Sequence, residues 1–186
     1  MAAELDGLRV AILAASGVEQ VELEQPRTTL EDAGARTTLV SLQTGSIQAM
    51  NSDINPGDTF TVDAAIEDVS ADDYDALVLP GGAVNPDNLR QNPSVIRFVQ
   101  AMFAANKPVG AICHAPWTLV EADVVRGRRL TSYPSLRTDI RNAGGETVDE
   151  QVVVDGNLTT SRDPNDLDAF CSALVQQFAT AGAAAR

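Results

Sequence analysis

The stretch KPVGAICHAPW, residues 107–117, runs from an apolar β-forming segment straight into a cysteine, a histidine and a helix-opening Ala-Pro pair. Val109 to Ile112 is short and apolar, the pattern of a parallel strand covered on both faces. Pro116 suits the first turn of a helix, where its missing N–H leaves no bond unmade. A strand that turns sharply into a helix, with small residues two before and two after the nucleophile, is the arrangement of a nucleophile elbow, and Ala111 and Ala115 hold those positions around Cys113. In open α/β sheets reactive groups collect just past the carboxyl ends of the strands. Cys113 is therefore the first candidate for chemistry, and its neighbour His114 is the only histidine in the chain.

Working outward, apolar β-type runs recur at residues 8–15, 36–42, 75–80 and 151–161. Segments of helical period lie between several of them. In residues 93–107, Val95, Phe98, Val99, Met102 and Phe103 follow the i, i+3, i+4, i+7, i+8 rule, with Asn92 as N-cap and Pro93 at the first helical position. Leu167, Phe170, Leu174, Val175 and Phe178 repeat the pattern after Asp163 and Pro164. Residues 43–62 carry short strand-like pieces among turn residues and predict a β-hairpin excursion. The Ala-rich end, residues 180–186, is expected to fray. The fold class expected is α/β, a single domain over residues 1–186 with a mostly parallel sheet flanked by helices.

Composition narrows the partners. The chain has 186 residues, 44% of them hydrophobic, and 26 acidic against 13 basic side chains give a formal charge of −13. That charge repels phosphate backbones, so nucleic acid is not an expected partner, and Arg126, Arg128 and Arg129 read as a solvated loop. No apolar run approaches the roughly 18 residues of a membrane span. Glu4 and Asp6 stand where a secretory signal carries basic residues, and a disulfide framework is not expected from two cysteines so far apart, so a reducing cytoplasm is the expected location. One histidine and two distant cysteines do not make a usual metal set, and PGGAVNPD lacks the Lys and Ser or Thr of a phosphate loop. Neither a metal nor an organic cofactor is expected.

Within the candidate site, the helix that follows Cys113 is expected to favour thiolate over thiol. Cys171, at helical spacing between Phe170 and Leu174, reads as core. Gly81 and Gly82, in the turn LPGGAVNPD at residues 79–87, permit close backbone approach and can aim N–H groups at an oxyanion. Glu19 and Glu22 stand at the start of the first helix, where acidic residues also suit the helix electrostatically. If Glu22 leans toward Cys113, the two share a proton or hydrogen bond and the carboxyl has a raised pKa.

Taken in order, GVEQVEL, DALVLPGG, KPVGAICHAPWTL, VVRGRRLTSYP, NAGGE and QVVVDGNLTTSRDPNDL resemble the ThiJ/PfpI superfamily, most closely its branch of intracellular-protease-like and general stress proteins. The match runs from about residue 8 to 178. The resemblance implies a class I glutamine amidotransferase-like, flavodoxin-like fold, with Cys113 as nucleophile and His114 as its neighbouring base. It implies Glu22 as the carboxyl that hydrogen-bonds the cysteine, Gly82 and His114 as backbone oxyanion donors, and Tyr133 as a pocket residue; Gly81 and Glu19 complete the candidate oxyanion pocket. In similar proteins an acidic residue of an adjoining subunit completes a triad, and the matching position here is Asp87, where glutamate is more familiar. A homo-oligomer is thus implied. Ala115 departs from the glycine more often found after Cys-His.

The expected activity is a cysteine-dependent hydrolase, of peptidase or glyoxalase/deglycase type, acting on a peptide or a small carbonyl substrate in a stress response. The alternative is a non-enzymatic oxidative-stress sensor or chaperone that uses a reactive Cys113. A glutamine amidotransferase needs a histidine far downstream of its nucleophile, and none follows His114.

Overall fold

A computed structural model describes residues 4–184. In chain order the elements are β1 (Arg9–Leu13), β2 (Val18–Glu19), α1 (Gln20–Asp32), β3 (Arg36–Ser41), β4 (Gly45–Asn51), β5 (Asn55–Val62), β6 (Ala64–Ala65) and β7 (Ala76–Leu79). They continue with α2 (Val84–Arg90), α3 (Pro93–Ala104), β8 (Val109–Ile112), α4 (Pro116–Glu121), β9 (Arg129–Leu130) and α5 (Arg137–Asn142). The chain closes with β10 (Glu146–Thr147), β11 (Val152–Asp155), β12 (Leu158–Ser161) and α6 (Leu167–Ala184). The Ala-rich end is helical as far as Ala184, and the rest of it lies outside the described residues.

Seven strands form the central sheet in the order β11-β12-β8-β7-β1-β3-β6. Every neighbouring pair is parallel except β11 with β12. Alternation along a strand sends successive side chains to opposite faces. Ala11 and Leu13 of β1 therefore join the core with Phe98, Val99 and Met102 of α3 and Leu119 of α4. Val10 and Ile12 join the core on the other face with Leu23 and Leu30 of α1 and Phe170, Leu174 and Phe178 of α6. Gly110 in β8 leaves room for Leu174, which a Cβ there would strike.

The helix expected over residues 93–107 is α3, opened by Asn92, whose side chain accepts from the N–H groups of Ser94 and Val95 at 2.8 and 3.3 Å. The hairpin over 43–62 is β4 with β5, and β2 pairs with β4 to make a small second sheet. Two segments are resolved more finely than the sequence pattern gives them. The run 151–161 is two antiparallel strands, because Gly156, at φ +60°, turns the chain between Asp155 and Leu158. The C-terminal helix begins at Leu167, since Asp163 caps a preceding 3-10 turn, Pro164–Asp166, by accepting from the N–H of Asn165 at 2.9 Å.

Candidate active site

The carboxyl ends of β1, β7, β8 and β12 converge on Cys113. Its backbone sits at φ +63°, in the left-handed region that a non-glycine residue occupies at a cost, and its N–H donates to the Ser161 carbonyl at 3.1 Å. This strained turn takes the chain from β8 to α4 and bends His114 back on its neighbour. The Sγ of Cys113 and the Nδ1 of His114 are 3.1 Å apart. Adjacent residues on a regular strand point to opposite faces, so the turn is what allows the contact. The imidazole stacks on Tyr133 with ring centroids 4.5 Å apart and lies 5.4 Å from the Trp117 ring. Its Nε2 faces the Ser135 hydroxyl at 3.5 Å.

Beneath the sulfur lies Glu22, from the first turn of α1 and fully buried. Its Oε2 accepts from the Gly81 N–H at 3.0 Å, and its carboxyl also hydrogen-bonds Cys113. The Gly81–Gly82 turn is pressed against this pair. A Cβ on Gly81 would strike the Glu22 carboxyl and come within 2.6 Å of the Cys113 Cβ. Gly82 has φ +79°, and a Cβ there would come within 2.7 Å of the Glu19 nitrogen. The backbone N–H groups of Gly82 and His114 both reach the sulfur and favour charge on it.

The profile of the DJ-1/PfpI family matches residues 8–177. The chain belongs to this family. It is 43% identical over 169 residues to a deglycase of Pyrococcus abyssi, covering 91% of this chain and 98% of the relative. The deglycase PfpI of Pyrococcus furiosus is 38% identical over the same shares. Among solved structures, a two-domain protein of Anabaena variabilis with DJ-1/ThiJ/PfpI-like and ferritin-like domains superposes with a TM-score of 0.87 at 35% identity, over 95% of this chain and 49% of that one. Drosophila melanogaster DJ-1beta superposes with a TM-score of 0.84 at 29% identity, over 92% of this chain and 90% of its own. The family's fold is the α/β sheet described above.

Proton placement at the site differs from the sequence expectation of a thiolate stabilised by the following helix. Burial, first, and the Glu22 charge, second, push the Cys113 thiol well above its ordinary range, against the pull of the Gly82 and His114 N–H groups. α4 is six residues long and does not reverse that balance. Burial is also the main cause that pushes Glu22 up to about 8, with the charges of Glu19 and Asp53 adding to it. The two groups are therefore coupled. Each disfavours a second negative charge, so at neutral pH the resting pair keeps a proton on the carboxyl and a proton on the sulfur, and the carboxyl keeps its proton when the sulfur is ionised. Burial pushes His114 below its ordinary value, and the charge of Asp53 opposes that shift.

The structure brings Cys113, His114, Glu22, Gly81, Gly82 and Tyr133 together and leaves two expected residues elsewhere. Glu19 is turned away from the sulfur toward the β4–β5 turn, where its Oε1 and Oε2 accept from the N–H groups of Ser52 and Asp53 at 3.0 and 3.1 Å. Its task is structural because two backbone donors claim its carboxylate. Asp87 is exposed on α2, its Oδ2 3.5 Å from the Gln91 amide, and the His114 Nε2 of the same chain faces Ser135 instead.

One buried residue escaped the sequence reading. Asn85 accepts from the Ala15 N–H at 2.7 Å and donates to the Pro80 and Gly81 carbonyls, each at 2.9 Å, so it ties the ends of β1 and β7 together behind the glycine turn. Nothing in NPD alone distinguishes it from a solvated turn residue. Cys171 is buried at helical spacing on α6, and burial pushes its thiol up to about 11. Among the described residues no three His, Cys, Asp or Glu side chains cluster to hold a metal, and no helix is long and apolar enough to cross a membrane.

Proposed function

We propose that the protein is a cysteine-dependent hydrolase of acyl or carbonyl centres, with glycated or dicarbonyl-modified amines as its substrate class. The observation that carries the reading is the Cys113 sulfur, held on a left-handed turn 3.1 Å from the His114 Nδ1 with two backbone N–H groups beside it. Transfer of the thiol proton to the His114 Nδ1 leaves a sulfur whose electron pair adds to the substrate carbonyl carbon. The carbonyl oxygen takes the negative charge and is held by N–H donors of the Gly82 and His114 kind. For an acyl–amine bond, collapse of that species breaks C–N, and His114 returns the proton to the leaving nitrogen. Water then adds to the thioester carbon, the acid departs and the thiol is restored.

Named relatives support the deglycase emphasis, since those of Pyrococcus abyssi and Pyrococcus furiosus carry that name. A Bacillus subtilis relative, 38% identical over 162 residues, is provisionally named a cysteine protease, which keeps peptides in the panel. The working form in this reading is a cytoplasmic homo-oligomer in which Asp87 of one copy approaches His114 of the next. A second reading, redox sensing in a stress response, rests on Glu22, a carboxyl protonated below about pH 8 and placed to hydrogen-bond a sulfenic or sulfinic oxygen on Cys113.

The deciding experiment runs wild type and Cys113→Ala side by side on peptides, methylglyoxal and methylglyoxal-modified amines. Turnover of at least one class by wild type and at least about a thousandfold less by the variant is expected. Full activity in Cys113→Ala removes the hydrolase reading. Selective Cys113 oxidation by mild peroxide, with no turnover of any substrate, favours the sensor.

A further inference from the structure

Three consecutive N–H groups of the glycine turn end on three different acidic groups. Gly81 donates to Glu22 Oε2 at 3.0 Å, Gly82 to the Cys113 sulfur, and Ala83 to Asp53 Oδ1 at 2.8 Å. The third acceptor comes from a part of the chain that the site's own strands do not contain. Asp53 lies between β4 and β5, and both it and Ser52 take left-handed backbone angles, φ +62° and +55°. Those angles turn their N–H groups down onto Glu19, at the start of α1, while the Asp53 carboxylate crosses to Ala83. The hairpin tip, α1 and the glycine turn thus close into a ring around the reactive sulfur.

We propose that Asp53 is the positioning residue of the Cys113–His114 pair: its carboxylate anchors the Ala83 N–H, fixes the turn that presents the Gly82 N–H to the sulfur, and serves as this chain's own negative charge toward His114. The inference rests on reading Cys113 and His114 as the reactive pair. The groups packed against the imidazole are Cys113 on its own turn, with Glu22 of α1 beneath that sulfur, Tyr133 stacked on the ring, Trp117 of α4 beside it and the Ser135 hydroxyl at Nε2. Asp139 and Arg90 stand behind Trp117. Burial of the ring disfavours imidazolium, and the Asp53 charge opposes that effect. An imidazolium 3.1 Å from sulfur in turn favours thiolate.

Because the chain has one histidine, its ring Hε1 is a single resonance in a proton NMR titration, readable without any substrate. Asp53→Asn keeps an acceptor oxygen for Ala83 and removes the charge. It is expected to move the His114 midpoint to lower pH and to slow iodoacetamide alkylation of Cys113 at pH 7 roughly fivefold. Asp58→Asn makes the same charge change on the same hairpin and is expected to alter neither. Should Asp53→Asn not fold, Asp53→Ala takes its place with the same expected direction. A midpoint that stays where it is overturns the proposal, whatever the alkylation rate does. A midpoint moved instead by Asp87→Asn transfers the role to the carboxylate of a second copy. A protein inactive on every substrate leaves this titration intact, so the two failures are distinguishable.

Discussion

The two ends of the central sheet are built on opposite terms. Where the strands begin, polar groups are paired and partly in water. Asp75 accepts from the Arg9 N–H at 2.9 Å and from its guanidinium Nε and Nη2 at 3.1 and 2.9 Å. The Lys107 ammonium donates to the carbonyls of Ala71 and Tyr74, both at 2.7 Å, and the Asn157 amide donates to the Lys107 carbonyl at 2.8 Å. Where the strands end, Cys113 and Gly82 hold left-handed angles, Glu22 is buried with its Oε1 lacking any conventional hydrogen bond, and neither Gly81 nor Gly82 has room for a Cβ. One end holds the layers together, and the other gives up stability to keep a sulfur and a carboxyl in a place neither would choose.

That contrast is breakable, and the largest expected effect lies at the crowded end. Gly82→Ala adds a methyl at φ +79° against the Glu19 backbone. It should cost about 3 kcal/mol or more in urea unfolding and slow Cys113 alkylation at least tenfold. A variant as stable as wild type would mean that the turn is not under the constraint described.

Glu22→Gln comes next and carries a sign in pH. The folded carboxyl is pushed up to about 8 from an ordinary 4.5, so between those values the native state holds a proton that the unfolded chain has released. Wild-type stability should therefore fall as pH rises from about 4.5 to 8, while the Gln variant lacks that slope. Near pH 8.5 the variant should be more stable, by an amount on the order of a few kcal/mol, and near pH 4.5 the two should converge. Parallel thermal melts across that window check it, and curves that track each other at every pH would contradict the burial of an ionising carboxyl.

At the opposite end, Asp75→Asn breaks a pair whose side chains are 50% and 36% exposed. Solvent screening keeps the expected loss to about 0.5–1 kcal/mol, with alkylation of Cys113 unchanged. A larger loss, or any change in thiol reactivity, would show that the two ends are coupled through the strands.

How much of this was legible beforehand follows the same division. The helix over 93–107, the hairpin over 43–62 and the elbow at Cys113 announce themselves through local period and turn chemistry, and Glu22 through its place on the first helix. Gly156 is also a local signal, since Asp-Gly between apolar runs marks a hairpin within the run 151–161. Asn85 and Asp53 were illegible because their partners, Ala15 and Ala83, are 70 and 30 residues away and only the folded ring brings them near. The partners of the Glu19 carboxylate were illegible for a related reason. Its partners Ser52 and Asp53 lie on a turn whose left-handed angles no spacing rule reveals.

The chain's one tryptophan lies 5.4 Å from its one histidine. An imidazolium accepts an electron from an excited indole far better than a neutral imidazole does, so the fluorescence of Trp117 should dim when His114 is protonated and brighten when it is neutral. The molecule thereby carries its own unlabelled optical gauge of the charge beside Cys113.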